Sequence, residues 1–544
     1  MIEIPTDSRM GDYAFPCFRL AKTLRKAPPM IAADVAEKLS DQTMFEKVEN
    51  VNAYVNMFVS KAVFTEATLT EAAGMKDRFG STDIGQNRKV IVEFSSPNIA
   101  KPFHIGHIRS TVIGNAIYKL YHFLGYDTVR INHLGDYGTQ FGKMIAAYRK
   151  WGNKEDVENE PIKTLLGYYV KFHEEAEAHP ELEDEARAVF TRLESGAPEE
   201  VALWQWFRDV SLKEFSRVYG MLGIEFDSYA GESFYSDKMD KVVDIMNEKG
   251  LLKESEGAQI VDLEPYGMSP ALIKKKDGST LYITRDIAAA VYRKETYDFH
   301  KNIYVVASQQ NLHFQQWIKV IELMGFDWAK QCIHIPFGLV SLEEGTMSTR
   351  KGRVVYLEEV LRRAVDQTKD IIREKNVNTE NIDETAKQVG IGAVIFQELS
   401  NGRIKDYVFS WDKVLNFEGE TGPYVQYTHA RSCSVLRNAG VSNPDEMLQG
   451  VDFKLITTDS AYALTKLIYR FPEIVIEAAE RYEPSIVTRH IVDIAQAFNR
   501  FYHDEHILVP DPAEKKAKVL LVYAAMQTIR NGLKLLGMET PEKM

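Results

Sequence analysis

Cysteine is almost missing from this sequence: Cys17, Cys332 and Cys433 are the only three in 544 residues, far apart and without a Cys-x-x-Cys pair. That excludes a zinc knuckle and a disulfide framework, and we expect no protein-held metal. Also lacking is any apolar run near the roughly 18 to 20 residues of a membrane-spanning helix. Met1–Met10 carries no basic-then-apolar leader pattern, so the expectation is a cytoplasmic protein with no membrane partner. No repeat or low-complexity segment occurs. Positive charge is in short supply as well: 66 Lys and Arg stand against 78 Asp and Glu, a formal net charge of −12 that argues against a nucleic-acid binder, and no DNA partner is expected. Much of the acidity lies between Glu155 and Glu200, in helical sequence such as His173–Arg192, so local basic faces can persist elsewhere. What is present is an ordinary globular composition, 45% hydrophobic and 26% charged, which rules out a disordered or collagen-like chain. The length exceeds what one core accommodates and predicts about three or four domains.

The most telling stretch runs from Ser95 to His107 and ends in His104-Ile105-Gly106-His107. Before it, the β-branched run Val90–Phe94 reads as a buried strand. After it, from Ile108, the residues Val112, Ile113, Ile117, Leu120 and Leu124 recur at helical spacing until Gly125. A strand-to-helix turn is a ready site for an anion, because free backbone N–H groups and the positive end of the helix dipole point out of it. Two imidazoles three residues apart add donors, and Gly106 leaves room for a nucleotide to approach the backbone. Read alone, the motif is equally an ordinary surface loop with two histidines; its surroundings decide.

Those surroundings alternate. Strands are predicted at Val90–Phe94, Thr128–Asn132, Ile303–Ala307 and Ile333–Phe337 with helical runs between them, the pattern of a parallel sheet with crossover helices. A helical stretch from about residue 150 to 250 interrupts it. Ahead of it, residues 1–84 read as a small α+β unit with a helix over Pro29–Leu39 and one strand over Val51–Val59. Beyond Leu357 the chain turns helical, with amphipathic runs at Leu357–Glu374, Asp383–Gln397, Ala461–Ala479 and Ser485–His503. Gly419–Pro423 and Asn443-Pro444 are the obvious breaks. The aromatics Phe498, Phe501 and Tyr502 share an apolar face with Ile491, Ile494 and Ala495, and we assign all three to core packing.

The string Glu93–His107, followed by Asn132-His133-Leu134-Gly135-Asp136-Tyr137-Gly138, resembles class I aminoacyl-tRNA synthetases and specifically the arginyl-tRNA synthetase family, and the resemblance covers nearly the whole chain. It implies an α/β fold: a Rossmann-like parallel-sheet catalytic domain with a small α+β N-terminal domain and an all-α C-terminal anticodon-binding bundle. The expected division is 1–84 for the tRNA-contacting N-terminal domain, 85–345 for the catalytic domain with its insertion, 346–407 for a signature loop and helical linker, and 408–544 for the helical domain. Family members commonly carry a helix ahead of Gly11–Pro16, so we expect the first domain to be shortened at its start.

The implied reaction is ATP-dependent activation of L-arginine to arginyl-adenylate and pyrophosphate, then transfer to the 3′-terminal adenosine of tRNA-Arg. The attacking carboxylate is already anionic, so the site needs positioning and positive charge rather than a strong base. ATP is expected with Mg²⁺ as its substrate complex, without a permanent cofactor, and the chain is expected to act as a monomer. His104 and His107 are the expected catalytic donors. The second class I signature normally reads Lys-Met-Ser-Lys-Ser, whereas the matching stretch here is Thr346-Met347-Ser348-Thr349-Arg350-Lys351-Gly352, so charge must come from Lys101, Arg350 or Lys351. By resemblance, His104, Gly106, His107, His313, Met347 and Ser348 bind ATP. Arginine falls to Glu93, Asn98, Glu232, Tyr282, Asp286 and Gln310. Tyr282 and Asp286 stand one turn apart if a helix has begun, and a guanidinium's planar fork of donors is what carboxylates and a hydroxyl can select. Tyr54, Asn56, Tyr424, Tyr427 and Met544 match tRNA-facing positions. Two other readings use the same residues: a small-molecule adenylyltransferase, which the helical tail opposes, and a tRNA-binding paralogue without catalysis, which the missing lysines favour.

Overall fold

The computed structural model describes residues 2–276, 281–341, 355–374, 381–414, 419–441 and 444–544. Three strands open the chain, β1 (Tyr13–Pro16), β2 (Phe45–Val51) and β3 (Tyr54–Val59), in an antiparallel sheet of order β1-β3-β2. The single strand predicted over Val51–Val59 is two: Val51 pairs with Tyr54 across a two-residue turn in which Asn52 takes φ 53°. Asparagine tolerates that left-handed conformation, so the alternation continues through a hairpin that looks unbroken in sequence. The helix Pro28–Ser40 lays Ile31, Ala32 and Ala36 on this sheet, against Val55, Met57 and Cys17.

The central sheet is parallel, with β4 (Lys89–Glu93) and β5 (Asp127–Ile131) on one side and β9 (Lys301–Ala307) and β10 (Cys332–Phe337) on the other, in the order β10-β9-β4-β5. All four predicted strands are present within two residues of their expected ends. Val90, Ile91 and Val92 are fully buried, as a mid-sheet strand covered on both faces requires. The chain leaves β4 through the helix Ile108–Phe123 to reach β5, and only later returns to the other side of β4 as β9. Strand order therefore switches between β4 and β9, where open α/β sheets bind ligands beyond their carboxyl ends.

Between β5 and β9 the helix Thr139–Trp151 precedes the predicted helical stretch, which holds Pro161–Ala178, Glu181–Glu194 and Pro198–Leu222. After them comes an element the sequence reading lacks, an antiparallel sheet of β6 (Leu252–Ser255), β7 (Ala258–Val261) and β8 (Ala271–Lys274). Its strands are four residues each and partly exposed, too short for a period of two to register. The helix Leu357–Glu374 has its predicted ends, and Ile382–Ser400, Asp459–Glu480 and Ser485–Asp504 differ by up to three residues at any end. Gly422–Ala439 and Pro512–Leu535 complete the helical part. Phe498 and Phe501 are fully buried in it, whereas Tyr502 is 43% exposed, contrary to its assignment to the core, because it sits at the edge of the buried arc of its helix. Among the described residues no helix is long and apolar enough to cross a membrane.

A short parallel pair, β11 (Val340–Ser341) with β12 (Tyr407–Val408), forms a separate two-stranded sheet shortly after β10. Beneath it Arg109, 0% exposed, donates from Nη1 to the carbonyls of Gly338 (3.2 Å) and Lys405 (2.7 Å) and lies 3.8 Å from Glu398, itself 1% exposed. Burial pushes the Glu398 carboxyl up to about 8 against the pull of Arg109. We expect Arg109→Met to lower stability by about 3 kcal/mol, since it strands a buried carboxyl and two carbonyls. Adding Glu398→Leu should recover part of the loss, read as the urea unfolding midpoint.

Candidate active site

Beyond β4 the backbone bends through Ser95, Ser96 and Ala100 at φ 71°, 47° and 58°. Such angles cost non-glycine residues roughly 1 kcal/mol or more each, so something must hold them. Ser110 Oγ accepts the Ser95 N–H at 2.9 Å and Ser211 Oγ accepts the Ala100 N–H at 3.0 Å. The buried Tyr219 hydroxyl lies 2.8 Å from Ser95 Oγ and accepts from Asn132 Nδ2 at 3.0 Å. The turn is thus braced by two helices, Ile108–Phe123 and Pro198–Leu222, and the motif that follows starts from a rigid base.

His104 caps the short turn Ile105–His107 that runs directly into the helix Ile108–Phe123. Its Nδ1 accepts the Gly106 N–H at 3.1 Å, while its own backbone N–H donates to His107 Nδ1, also at 3.1 Å. Both Nδ1 atoms being acceptors, each neutral ring carries its proton on Nε2, the ring atom left for a ligand. Burial pulls His104 down to about 4 and His107 to about 3, with His104 and Lys101 adding to the effect on His107. The rings lie 3.9 Å apart, and Phe103 stacks on His107 at 5.2 Å. The site therefore presents two neutral N–H donors side by side, not two cations.

Met347, Ser348, Arg350 and Lys351 of the second signature lie outside the described residues. The residues after them return to the first motif: Ile105 N–H donates to Val355 O at 3.1 Å and Leu357 N–H to Phe103 O at 2.9 Å. Lys101 stands close enough for its charge to act on both His107 and Glu232.

A second group of side chains gathers beside this turn. Tyr282 is the first residue of the helix Tyr282–Tyr297 and Asp286 follows one turn on, as the spacing anticipated. His313 Nε2 meets Asp286 Oδ2 at 2.5 Å, so the structure joins a residue expected at ATP to one expected at arginine. Glu232 is bound by Arg285 Nη1 at 3.1 Å, and Arg285 itself lies 5.1 and 5.6 Å from the rings of Tyr137 and Tyr282. Burial lifts the Glu232 carboxyl to about 8 against the attraction of Arg285, with Asp286 and Asp136 pushing the same way. Glu93 is nearly closed off: Arg293 Nη1 lies 2.6 Å from its Oε2, with side chains 0% and 8% exposed respectively. Asn98 and Gln310 are exposed, on the turns after β4 and β9. Arg285 and Arg293 are not among the expected residues, although both lie on the helix that carries Tyr282 and Asp286, eight positions apart and so near one face.

The expected tRNA contacts separate. Tyr54 is 36% exposed beside Phe18, whereas Asn56 is 1% exposed, so the sheet does not bring Asn56 to the surface. Tyr427 is exposed with Arg431 over its ring at 4.8 Å, Tyr424 accepts from Asn499 Nδ2 at 2.9 Å, and Met544 is half-buried at the chain's end.

The chain matches the family models described as "tRNA synthetases class I (R), catalytic domain" over residues 69–411, "DALR anticodon binding domain" over 425–544 and "Arginyl tRNA synthetase N terminal domain" over 1–59. It is 61% identical over its whole length to an arginine–tRNA ligase of Clostridioides difficile, covering 95% of that protein. To one of Halothermothrix orenii it is 59% identical with the same coverage. Among solved structures it resembles the Thermus thermophilus arginyl-tRNA synthetase, with a TM-score of 0.82 at 25% identity, over 100% of this chain and 96% of that one.

Proposed function

Since this chain belongs to the arginyl-tRNA synthetase family and joins arginine to tRNA at the expense of ATP, we propose how its own residues divide that work. ATP is taken as its Mg²⁺ complex at the turn after β4, where the Nε2–H groups of His104 and His107 donate to phosphate oxygens as an arginine carboxylate oxygen attacks the α-phosphorus. Pyrophosphate leaves with the bonding electron pair. Lys101, with Arg350 and Lys351, supplies the positive charge, and Gly106 lets the nucleotide close on the backbone. Arginine lies across Asn98 and Gln310 at its backbone end, near the closed-off Glu93, with its guanidinium toward Tyr282, Asp286 and Glu232. In the second step the terminal ribose hydroxyl of tRNA-Arg attacks the acyl carbon and AMP departs. Tyr54, Tyr424, Tyr427 and Met544 face the tRNA, and the chain works as a monomer in the cytoplasm. We take the expected division at residues 84, 345 and 407 as the boundaries of its working parts.

One observation carries this reading: both imidazoles are held by backbone N–H groups in the tautomer that donates from Nε2, and Glu232 already pairs with a guanidinium, that of Arg285. ATP–pyrophosphate exchange across the twenty amino acids, with and without tRNA, tests it. Exchange with arginine alone, dependent on tRNA, is the expected result; another amino acid, or none, overturns it.

A pH dependence follows from Glu232. With its carboxyl raised to about 8 it is protonated below that pH and acquires charge as pH rises through it. A guanidinium binds the charged form, so the KM for arginine should fall about tenfold between pH 6.5 and 8.5. Glu232→Gln should flatten that slope. An unchanged slope in the variant would assign the titration elsewhere.

A further inference from the structure

Asp136 is 0% exposed, and no part of the proposed chemistry uses it. Its Oδ1 accepts the Ser233 N–H at 2.8 Å and its Oδ2 accepts the Ser233 hydroxyl at 2.9 Å and Arg208 Nε–H at 3.2 Å. All three donors are directed at one carboxylate, and two come from the residue next to Glu232. The turn is tied again from the backbone: Glu232 N–H donates to Leu134 O at 2.9 Å, and Trp204 Nε1–H donates to Asp136 O at 2.7 Å. A Cβ at Gly231 would lie 2.6 Å from Leu134 O and 2.7 Å from Asp136 Oδ1, so the two segments are in contact with no room to spare.

The same short segment grips the opposite end of the site. Gly135 N–H donates to Pro97 O at 3.1 Å and Gly135 O accepts the Ile99 N–H at 3.2 Å, clasping Asn98 on both sides. A Cβ at Gly135 would come within 2.0 Å of Asn98 Oδ1. Residues 134–136 thus form a strut with Asn98 at one end and Glu232 at the other. Those residues face the backbone end and the guanidinium end of arginine in the proposed reading.

We propose that Asp136 is a positioning residue for arginine selection, fixing the Gly231–Ser233 turn so that Glu232 stands at a set distance from Asn98. The inference rests on the reading of Glu232 as a guanidinium contact. A buried carboxylate held by three donors from two elements keeps its geometry because moving any one of them leaves a polar group unpaired. Lysine, ornithine and other amines lack the planar fork, and discrimination against them depends on where the carboxylates stand.

The test is Asp136→Asn in the full-length chain, assayed by tRNA-dependent exchange. The amide keeps one acceptor but loses the charge and one acceptor site facing Ser233 and Arg208; because that charge also pushes Glu232 up, the assay is run at about pH 9, where Glu232 is charged with or without it. We expect the KM for arginine to rise by about 10- to 100-fold, with the KM for ATP within about twofold of the parent. Inhibition by agmatine, which carries the guanidinium without the carboxylate, should weaken in proportion. In the Glu232→Gln background the same substitution should add less than about threefold, because it acts through the residue already removed. Ser233→Ala, which deletes one hydroxyl, should raise the arginine KM by about three- to tenfold and decides the matter if Asp136→Asn does not fold. An arginine KM unmoved in Asp136→Asn or Ser233→Ala while Glu232→Gln raises it would overturn the role of Asp136 alone. If Glu232→Gln itself leaves the arginine KM unmoved, the reading of Glu232 falls first. Equal increases in the KM for ATP and for arginine would mark a merely structural role and also overturn the proposal.

Discussion

The double substitution His104→Ala with His107→Ala should lower arginine-dependent ATP–pyrophosphate exchange by at least about 10⁴-fold while leaving tRNA affinity within about twofold. Removing one preorganised donor at a developing negative charge typically costs about 10²- to 10³-fold, and the two rings here stand in contact at 3.9 Å. Their loss also frees the Gly106 and His104 N–H groups that now point at Nδ1 atoms, so the turn itself loosens. The two effects add in the same direction. Because the rings are neutral with values of about 4 and 3, they do not titrate between pH 6.5 and 9, and neither His104 nor His107 should contribute a step to the parent enzyme's turnover in that range. Filter binding of labelled tRNA gives the companion measurement. A tRNA affinity that collapsed together with exchange would move this motif from the nucleotide site to the tRNA surface.

Asp286→Ala carries the second large effect. A guanidinium placed in a pocket built of carboxylates loses both charge and hydrogen bonds when one is removed, and the pocket keeps His313 with its partner gone. We expect kcat/KM for arginine to fall by about 10³-fold, most of it in KM, and for ATP by less than about tenfold. The split matters because His313 touches Asp286. If ATP and arginine suffer equally, the pair belongs to the nucleotide site and Tyr282 and Glu232 read the guanidinium without it. Asp286→Asn refines the answer: it keeps the shape and one acceptor, so a loss nearly as large would assign the effect to charge.

Much of this was legible in the order of residues. A β-branched run, a turn and a helical period are local, and they placed β4, the helix Ile108–Phe123 and the parallel sheet because each rests on neighbours within a few positions. The match of Glu93–His107 and Asn132–Gly138 to a known family carried the rest, and the class of reaction came with it. Tyr282 and Asp286 were readable as a pair because one turn of helix is a fixed length. What sequence order could not convey is contact between distant segments. Nothing local marks Asp136 as the holder of the Gly231–Ser233 turn, Arg293 as the partner that closes off Glu93, or Arg285 as the partner of Glu232. Nor does composition reveal that the two imidazoles are neutral, since that depends on what surrounds them. Local propensity is a property of neighbouring residues; burial, charge pairing and proton position are properties of the packed chain, and they were settled when residues about fifty to two hundred positions apart met around β4.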